Sequence, residues 1–101
     1  MIFVYVPCQD FDTAKNIAGI LVEKRMAGKV DILPVQTVYS QNGGTAVASR
    51  AVMIIKTIDK HVQGIEDVVR ENYHDGVPCV AVISLYRLNR EFKDWLIESI
   101  S

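Results

Sequence analysis

The sequence lacks most of the patterns that mark specialised protein classes. It has two cysteines among 101 residues, too few for the disulfide framework of a small secreted domain. Eleven basic residues balance twelve acidic ones, for a formal net charge of -1. This balance argues against nucleic acid or an acidic membrane surface as a partner. No apolar run approaches the length of a membrane-spanning helix, so we expect no membrane partner either.

We also expect no export signal at the N-terminus. The first residues, MIFVYVPC, are apolar, but no basic segment precedes them and no cleavage site follows them. Because neither cysteine belongs to a disulfide pattern, we expect reduced thiols and a cytoplasmic protein.

Catalytic motifs are missing as well: the sequence has no nucleophile elbow, P-loop, dinucleotide-binding glycine pattern or H-E-x-x-H. Cys8 or Cys79 could pair with His74 as nucleophile and base, but only proximity in three dimensions would support that role. We therefore expect a protein that is not an enzyme.

What is present is the composition of a globular protein. Half of the residues are hydrophobic and 23% are charged, which distinguishes the chain from disordered sequences. At this length an ordinary hydrophobic core forms without disulfides. We expect one domain over residues 1–101.

Hydrophobic periodicity in the first part of the chain predicts a strand followed by a helix. Residues 2–7 are a continuous β-branched and aromatic run, typical of a central strand buried on both faces. The helix that follows is capped by Asp10 or Asp12, continues to about Arg25 and is expected to stop at Gly28.

The middle of the chain predicts a β-hairpin. Residues 30–40 and 45–56 are rich in strand-forming side chains, and the sequence QNGG between them tolerates the positive φ angles of a tight turn. Pro34 marks an edge position or a bulge, since proline cannot donate to a β-ladder.

The last part predicts a helix, a strand and a final helix. Asp59 is expected to cap the second helix, and the segment NYHDG to end it before a strand at residues 78–86. The final helix begins near Asn89. Its apolar positions have helical spacing: Phe92, Trp95, Leu96 and Ile100.

This β-α-β-β-α-β order, with a C-terminal helix, predicts an α+β ferredoxin-like split-βαβ sandwich, because crossovers are right-handed. The first and fourth strands are then adjacent and antiparallel, which places Cys8 and Cys79 at one edge of the sheet. With His74 nearby, two thiolates and an imidazole would suit copper or zinc. The alternative is that both cysteines are small hydrophobic residues of the core.

Several segments, in this order and spacing, are shared with one known family: DTAKNIAGILVEKRMAGKVDILP, VYSQNGG, MIIKT, Pro78 before a strand, and FKDWLIESI. On these segments the chain resembles the CutA divalent-cation-tolerance family along nearly its whole length. The resemblance implies a PII-like homotrimer with a pocket between neighbouring subunits, near the loop before the fourth strand. It also implies a role in tolerance of divalent cations, copper above all.

The sequence departs from the family pattern at that loop. The family tends to read His-x-Tyr-x-x-Pro-Glu, and Tyr73, Asp75 and Cys79 stand where its His, Tyr and Glu fall. Arg50 likewise replaces a usual Glu in the third strand. The residues that match or replace family pocket positions form the predicted cleft: Tyr39, Arg50, Lys56, Tyr73, Asp75 and Pro78.

Two cleft residues have simpler interpretations. Lys56 could extend its ammonium from the strand end into solvent. Arg50 could mark an exposed face or protect a sheet edge from aggregation, and in a trimer it could pair with an acidic residue of a neighbour.

The leading functional hypothesis is thus a non-enzymatic homotrimer of divalent-cation tolerance, with copper or zinc as candidate ligands. One alternative is a PII-like sensor that binds a small anion near Lys56 and Arg50. Another is a structural trimeric scaffold.

Overall fold

The computed structural model describes residues 1–100, over which four strands form one antiparallel sheet. The strand order is β2-β3-β1-β4, so β1 is central and β2 and β4 are the edges. This is the predicted split-βαβ order. The strands are β1 (Ile2–Cys8), β2 (Lys29–Gln41), β3 (Gly44–Thr57) and β4 (Ala81–Ser84).

Three α-helices accompany the sheet, and a single 3₁₀ turn at Asp59–His61 leads into the second of them. None of the helices within residues 1–100 has the length and apolar character needed to cross a membrane. The helices are α1 (Phe11–Glu23), α2 (Val62–Asn72) and α3 (Arg90–Ser99).

The hydrophobic core lies between one face of the sheet and helices α1 and α2. In β1 the side chains of Val4 and Val6 are fully buried, whereas Phe3, Tyr5 and Pro7 on the other face are only partly covered. The central position of this strand is confirmed. The prediction that both of its faces are buried is wrong for the single chain, because α1 and α2 cover only one side.

Helix α1 begins where the sequence predicted and ends differently. The Asp10 side chain accepts a hydrogen bond from the Thr13 backbone N–H at 2.7 Å, the N-cap arrangement that satisfies a free helix donor. Arg25, with a φ of 59°, turns the chain after the helix, so Gly28 is not the stop. A Cβ at Gly28 would lie 2.5 Å from Leu96 Cδ1, which shows that α3 packs closely there.

The β2–β3 hairpin is long and regular. Its register continues without a bulge to a two-residue turn at Asn42 and Gly43, whose φ angles are 49° and 80°. Positive φ at both positions matches a type I′ turn. Pro34 lies in the edge strand β2, as predicted. Because β1 pairs with β3 only from Ala51 onward, residues 35–50 extend beyond the body of the sheet, and we call this segment the hairpin arm.

The second half of the chain matches its predicted elements with shorter bounds. Asp59 begins the 3₁₀ turn, and His61 rather than Asp59 occupies the N-cap position of α2. Of the strand predicted for residues 78–86, only the four residues of β4 form a strand. The predicted apolar face of α2 packs on the core, with Val62 partly buried and three residues fully within it: Ile65, Val68 and Val69.

Helix α3 packs on the sheet face that α1 and α2 leave open. Leu96 is fully buried, whereas Trp95 remains partly exposed. The Trp95 ring stacks at a tilt on Phe92, with centroids 5.5 Å apart, and the ammonium of Lys29 lies 4.9 Å from its centroid. Trp95 is therefore a packing residue at the margin of the structure, as its place among the apolar positions of the helix predicted.

Candidate functional site

A cavity of about 230 Å³ opens at the base of the hairpin arm, where the arm meets the end of β1 and the loop after α2. Four of the six predicted cleft residues line it. Its lining residues are Pro7, Cys8, Thr37, Tyr39, Arg50, Tyr73 and Asp75.

Strand alternation explains how the arm supplies its side chains. Thr37 and Tyr39 are two residues apart on β2 and so share one face of the sheet. Arg50 pairs with Val35 in the β2–β3 register, and this places Arg50 on the same face. Thr37 was missed in the sequence, although the i, i+2 spacing from Tyr39 would have predicted it once the strand was assigned.

An ion pair between Arg50 and Asp75 connects the arm to the loop after α2. Hydrogen bonding to the Asp75 carboxylate raises the pKa of the Arg50 guanidinium above its usual value. The sequence suggested an acidic partner for Arg50 on a neighbouring subunit, and the structure provides that partner within the same chain. The guanidinium of Arg50 and the carboxylate of Asp75 both line the cavity. A polar ligand in the cavity would therefore contact a positive and a negative group.

Tyr73 and Cys8 form the wall nearest the core, and both remain protonated at neutral pH. Burial, together with the negative charge of Asp75, raises the pKa of the Tyr73 phenol. Burial, and secondarily Asp10, raises the pKa of the Cys8 thiol to about 11. A neutral thiol is a weak nucleophile and a weak metal ligand, so Cys8 acts here as a wall of the cavity.

The predicted metal site of Cys8, His74 and Cys79 does not form within one chain. Cys8 is 1% exposed in the core, whereas Cys79 is exposed at the surface. The β1–β4 pairing ends at Tyr5 and Ala81, and its register would align Cys79 with Pro7, whose side chain lies on the face opposite that of Cys8. Over residues 1–100, no three His, Cys, Asp or Glu side chains are grouped to hold a metal ion.

Lys56 and Pro78 lie apart from this cavity. Lys56 is on the same strand as Arg50 but six residues further along, roughly 20 Å away, so one small ligand cannot reach both within a chain. Lys56 is also only 7% exposed, and its ammonium pairs with Asp31. The interpretation as a solvated strand-end lysine is therefore wrong. Pro78 is partly buried before β4 and is not among the residues that line the cavity.

The cavity thus offers hydrogen-bonding groups without a reactive nucleophile. Arg50 supplies a guanidinium, Asp75 a carboxylate, Tyr39 and Tyr73 phenols, and Thr37 a hydroxyl. These groups can bind and orient a small polar molecule.

Comparison with known proteins gives one consistent family. The chain matches the family model described as "CutA1 divalent ion tolerance protein" over residues 2–99. A protein of Archaeoglobus fulgidus named "Divalent-cation tolerance protein CutA" is 30% identical over 97% of this chain and 96% of its own length. The human "Protein CutA" is 31% identical over 96% of this chain. The chain spans 56% of that human protein.

Solved structures agree with the sequence comparison. The structure of the periplasmic divalent cation tolerance protein CutA from Archaeoglobus fulgidus has a TM-score of 0.92 and 29% identity, with both chains fully covered. CutA1 from Oryza sativa has a TM-score of 0.91 and 27% identity, covering 99% of this chain and 93% of the other. These similarities confirm the ferredoxin-like, PII-like fold.

Proposed function

Since the chain belongs to the CutA1 divalent ion tolerance family, we propose that it is a non-enzymatic protein of divalent-cation tolerance that acts as a homotrimer. The observation that carries this proposal is the family match over residues 2–99. Similar proteins from Archaeoglobus fulgidus and Thermus thermophilus are named for the same tolerance. The exposed free thiol of Cys79 is compatible with the reducing environment of the cytoplasm, which we propose as its location.

The surface of the single chain supports assembly. Leu33 on the sheet face opposite α1 and α2 is 44% exposed, and the cross-strand pair of Val38 and Val47 on the hairpin arm is 66% and 63% exposed. These apolar side chains lie on both faces of the hairpin, and coverage by a neighbouring protein would remove them from water. Other copies of the same chain are the occupants that the family resemblance implies.

The homotrimer is tested by the mass of the purified protein in solution. Multi-angle light scattering combined with native mass spectrometry should give three times the chain mass of 11.3 kDa. A protein that remains a monomer at micromolar concentration would overturn the proposed assembly. A metal or small molecule that stays bound would appear as extra mass in the same native spectrum.

We also propose that the protein binds copper or zinc. The three predicted ligands, Cys8, His74 and Cys79, do not come together in one chain, so the site needs other ligands. His74 and Cys79 are both exposed on the connection between α2 and β4, and a soft thiolate with an imidazole suits Cu(I) or Zn(II). Further ligands would come from a second copy in the trimer.

Titration of the reduced protein with Cu(I) and Zn(II) tests this binding. Cys79→Ser should lower the affinity, and Cys8→Ala, which changes the buried thiol, should leave the stoichiometry unchanged. If Cys79→Ser binds as many ions with the same affinity as the unmodified protein, the thiol has no part in metal binding.

A second candidate function is that of a small-ligand sensor, and the cavity at the base of the hairpin arm favours it. Four side chains predicted for a ligand cleft line this one cavity. ATP, as an anionic probe, should raise the melting temperature of the protein. Arg50→Gln should abolish that rise, and an equal rise in both proteins would exclude this cavity.

A further inference from the structure

A second cavity lies on the open face of the sheet, below the beginning of α3. Its volume is about 380 Å³, within the usual range for sites of small molecules. Its walls combine apolar rings with charged side chains: Phe3, Lys29, Asp31, Lys56, Leu88, Asn89 and Phe92.

Two lysines from neighbouring strands line this cavity. Lys29 and Lys56 are direct partners in the antiparallel β2–β3 register, so their side chains rise from the same face at adjacent positions. Like charges directly opposite one another destabilise a sheet. Lys56 is also buried, and removal of an ammonium from water carries a further cost. An arrangement that costs stability in the free protein suggests a use for the two charges.

The two ammonium groups are unequally compensated. Lys56 pairs with the carboxylate of Asp31 and lies 5.7 Å from the centroid of the Phe3 ring. Lys29 lies over two aromatic rings, with its Nζ 4.9 Å from the Trp95 centroid and 6.0 Å from that of Phe92. No carboxylate of residues 1–100 forms an ion pair with Lys29. The cavity walls thus carry two positive charges and one negative charge.

We propose that this cavity binds an organic oxyanion, a carboxylate or phosphate monoester attached to a flat apolar body. The oxyanion accepts hydrogen bonds from Lys29 and Lys56, which relieves their mutual repulsion. The body of the ligand lies against the rings of Phe3 and Phe92. The inference does not rest on the proposed role in cation tolerance, and the site is roughly 20 Å along β3 from the Arg50 cavity.

Phenyl phosphate is a suitable probe because it joins a phosphate monoester to an aromatic ring. Isothermal titration of the assembled protein at fixed ionic strength should show saturable binding, and inorganic phosphate, which has no ring, should bind more weakly. Lys29→Gln shortens the side chain only slightly and removes its charge, and it should weaken phenyl phosphate binding about tenfold or more.

Lys15→Gln is the matched control. Lys15 is exposed on α1, across the sheet from the cavity, and its substitution makes the same change in net charge. Phenyl phosphate should bind this variant as it binds the unmodified protein. Phe92→Leu should reduce the preference for phenyl phosphate over inorganic phosphate. Absence of saturable binding, or equal weakening by Lys15→Gln and Lys29→Gln, would overturn the proposal.

Discussion

Two glycines differ in the space around them, and only one of them allows α3 to pack closely. A Cβ at Gly28 would lie 2.5 Å from Leu96 Cδ1 and 3.1 Å from Trp95 Cζ3. Leu96 is fully buried and has little room to move in a close-packed interior. A Cβ at Gly19, on the exposed surface of α1, would meet no neighbouring atom within 4 Å.

The two glycines should respond to alanine with opposite signs. Gly28→Ala should lower the free energy of unfolding by roughly 1–3 kcal/mol, the usual cost of overpacking. Gly19→Ala should raise it by about 0.5–1 kcal/mol, because alanine costs less entropy within a helix. Urea denaturation of both variants measures the two changes. If Gly28→Ala were as stable as the unmodified protein, Leu96 would not pack closely enough on residue 28 to exclude a methyl group.

The buried thiol of Cys8 makes stability dependent on alkaline pH. Its pKa is about 11 in the folded protein against 9.0 for an ordinary thiol, so folding favours the protonated form. This contribution is fully present below pH 9 and is lost as the pH rises towards 11. The shift corresponds to about 2–3 kcal/mol.

Unfolding free energies of the unmodified protein and Cys8→Ala between pH 8 and 11 measure this effect. The unmodified protein should lose more stability over that range than Cys8→Ala, because alanine has no proton to release. The comparison removes the thiol together with its smaller contribution to the raised pKa of Tyr73. Parallel pH profiles would show that the thiol is not protected by burial.

At the scale of elements, periodicity predicted the buried faces better than the ends. The apolar spacing of α1 predicted a buried face that included Val22, but Val22 is 44% exposed, and the buried residues are Ala14, Ile17, Ala18 and Leu21. The end of the helix depends on Arg25, which adopts a conformation that sequence rules assign to glycine. Strand β4 is shorter than its apolar run. Pro78, which has no backbone N–H to donate, lies in the unpaired part before it.

The sequence predicted part of the candidate site, and strand alternation explains which part. Tyr39, Arg50, Tyr73 and Asp75 meet at one cavity because strand alternation and the α2–β4 loop bring them together. Cys79 was expected beside Cys8 at one edge of the sheet, but β4 pairs with β1 only from Ala81 onward. Cys79 therefore lies exposed before the strand, whereas Cys8 is buried. The length of such a pairing depends on tertiary structure and is not encoded in local sequence.

The turn of the hairpin arm gives a test at the same scale. Gly43 has a φ of 80°, where a Cβ is strained, so Gly43→Ala should cost roughly 1 kcal/mol or more. A Cβ at Gly44, the first residue of β3, would meet only the Gln41 carbonyl oxygen at 3.8 Å. Gly44→Ala should therefore be close to neutral.

Hydrogen exchange of the arm amides, followed by mass spectrometry, compares the two variants. Faster exchange in the arm is expected for Gly43→Ala and not for Gly44→Ala. Equal exchange rates in the two variants would mean that the turn does not require positive φ at Gly43.

At the scale of the whole molecule, the chain has a closed face and an open one. Helices α1 and α2 cover one side of the sheet, and α3 covers only the end of the other side near Lys29. The hairpin arm adds to the elongated shape, whose longest dimension is 48 Å. The apolar side chains on the open face are exposed to water unless another surface covers them. The need to cover this face is the physical basis for the proposed trimer.

A charge on the open face should therefore prevent assembly. Leu33→Lys places an ammonium where another copy would pack, and burial of an unpaired charge costs several kcal/mol. The variant should have a lower mass by light scattering and a lower melting temperature than the unmodified protein. Asn16→Lys, with the same added charge on the exposed side of α1, should keep the full mass. A trimer that tolerates Leu33→Lys would show that the copies meet elsewhere, and the exposed valines of the hairpin arm would then be the surface to change next.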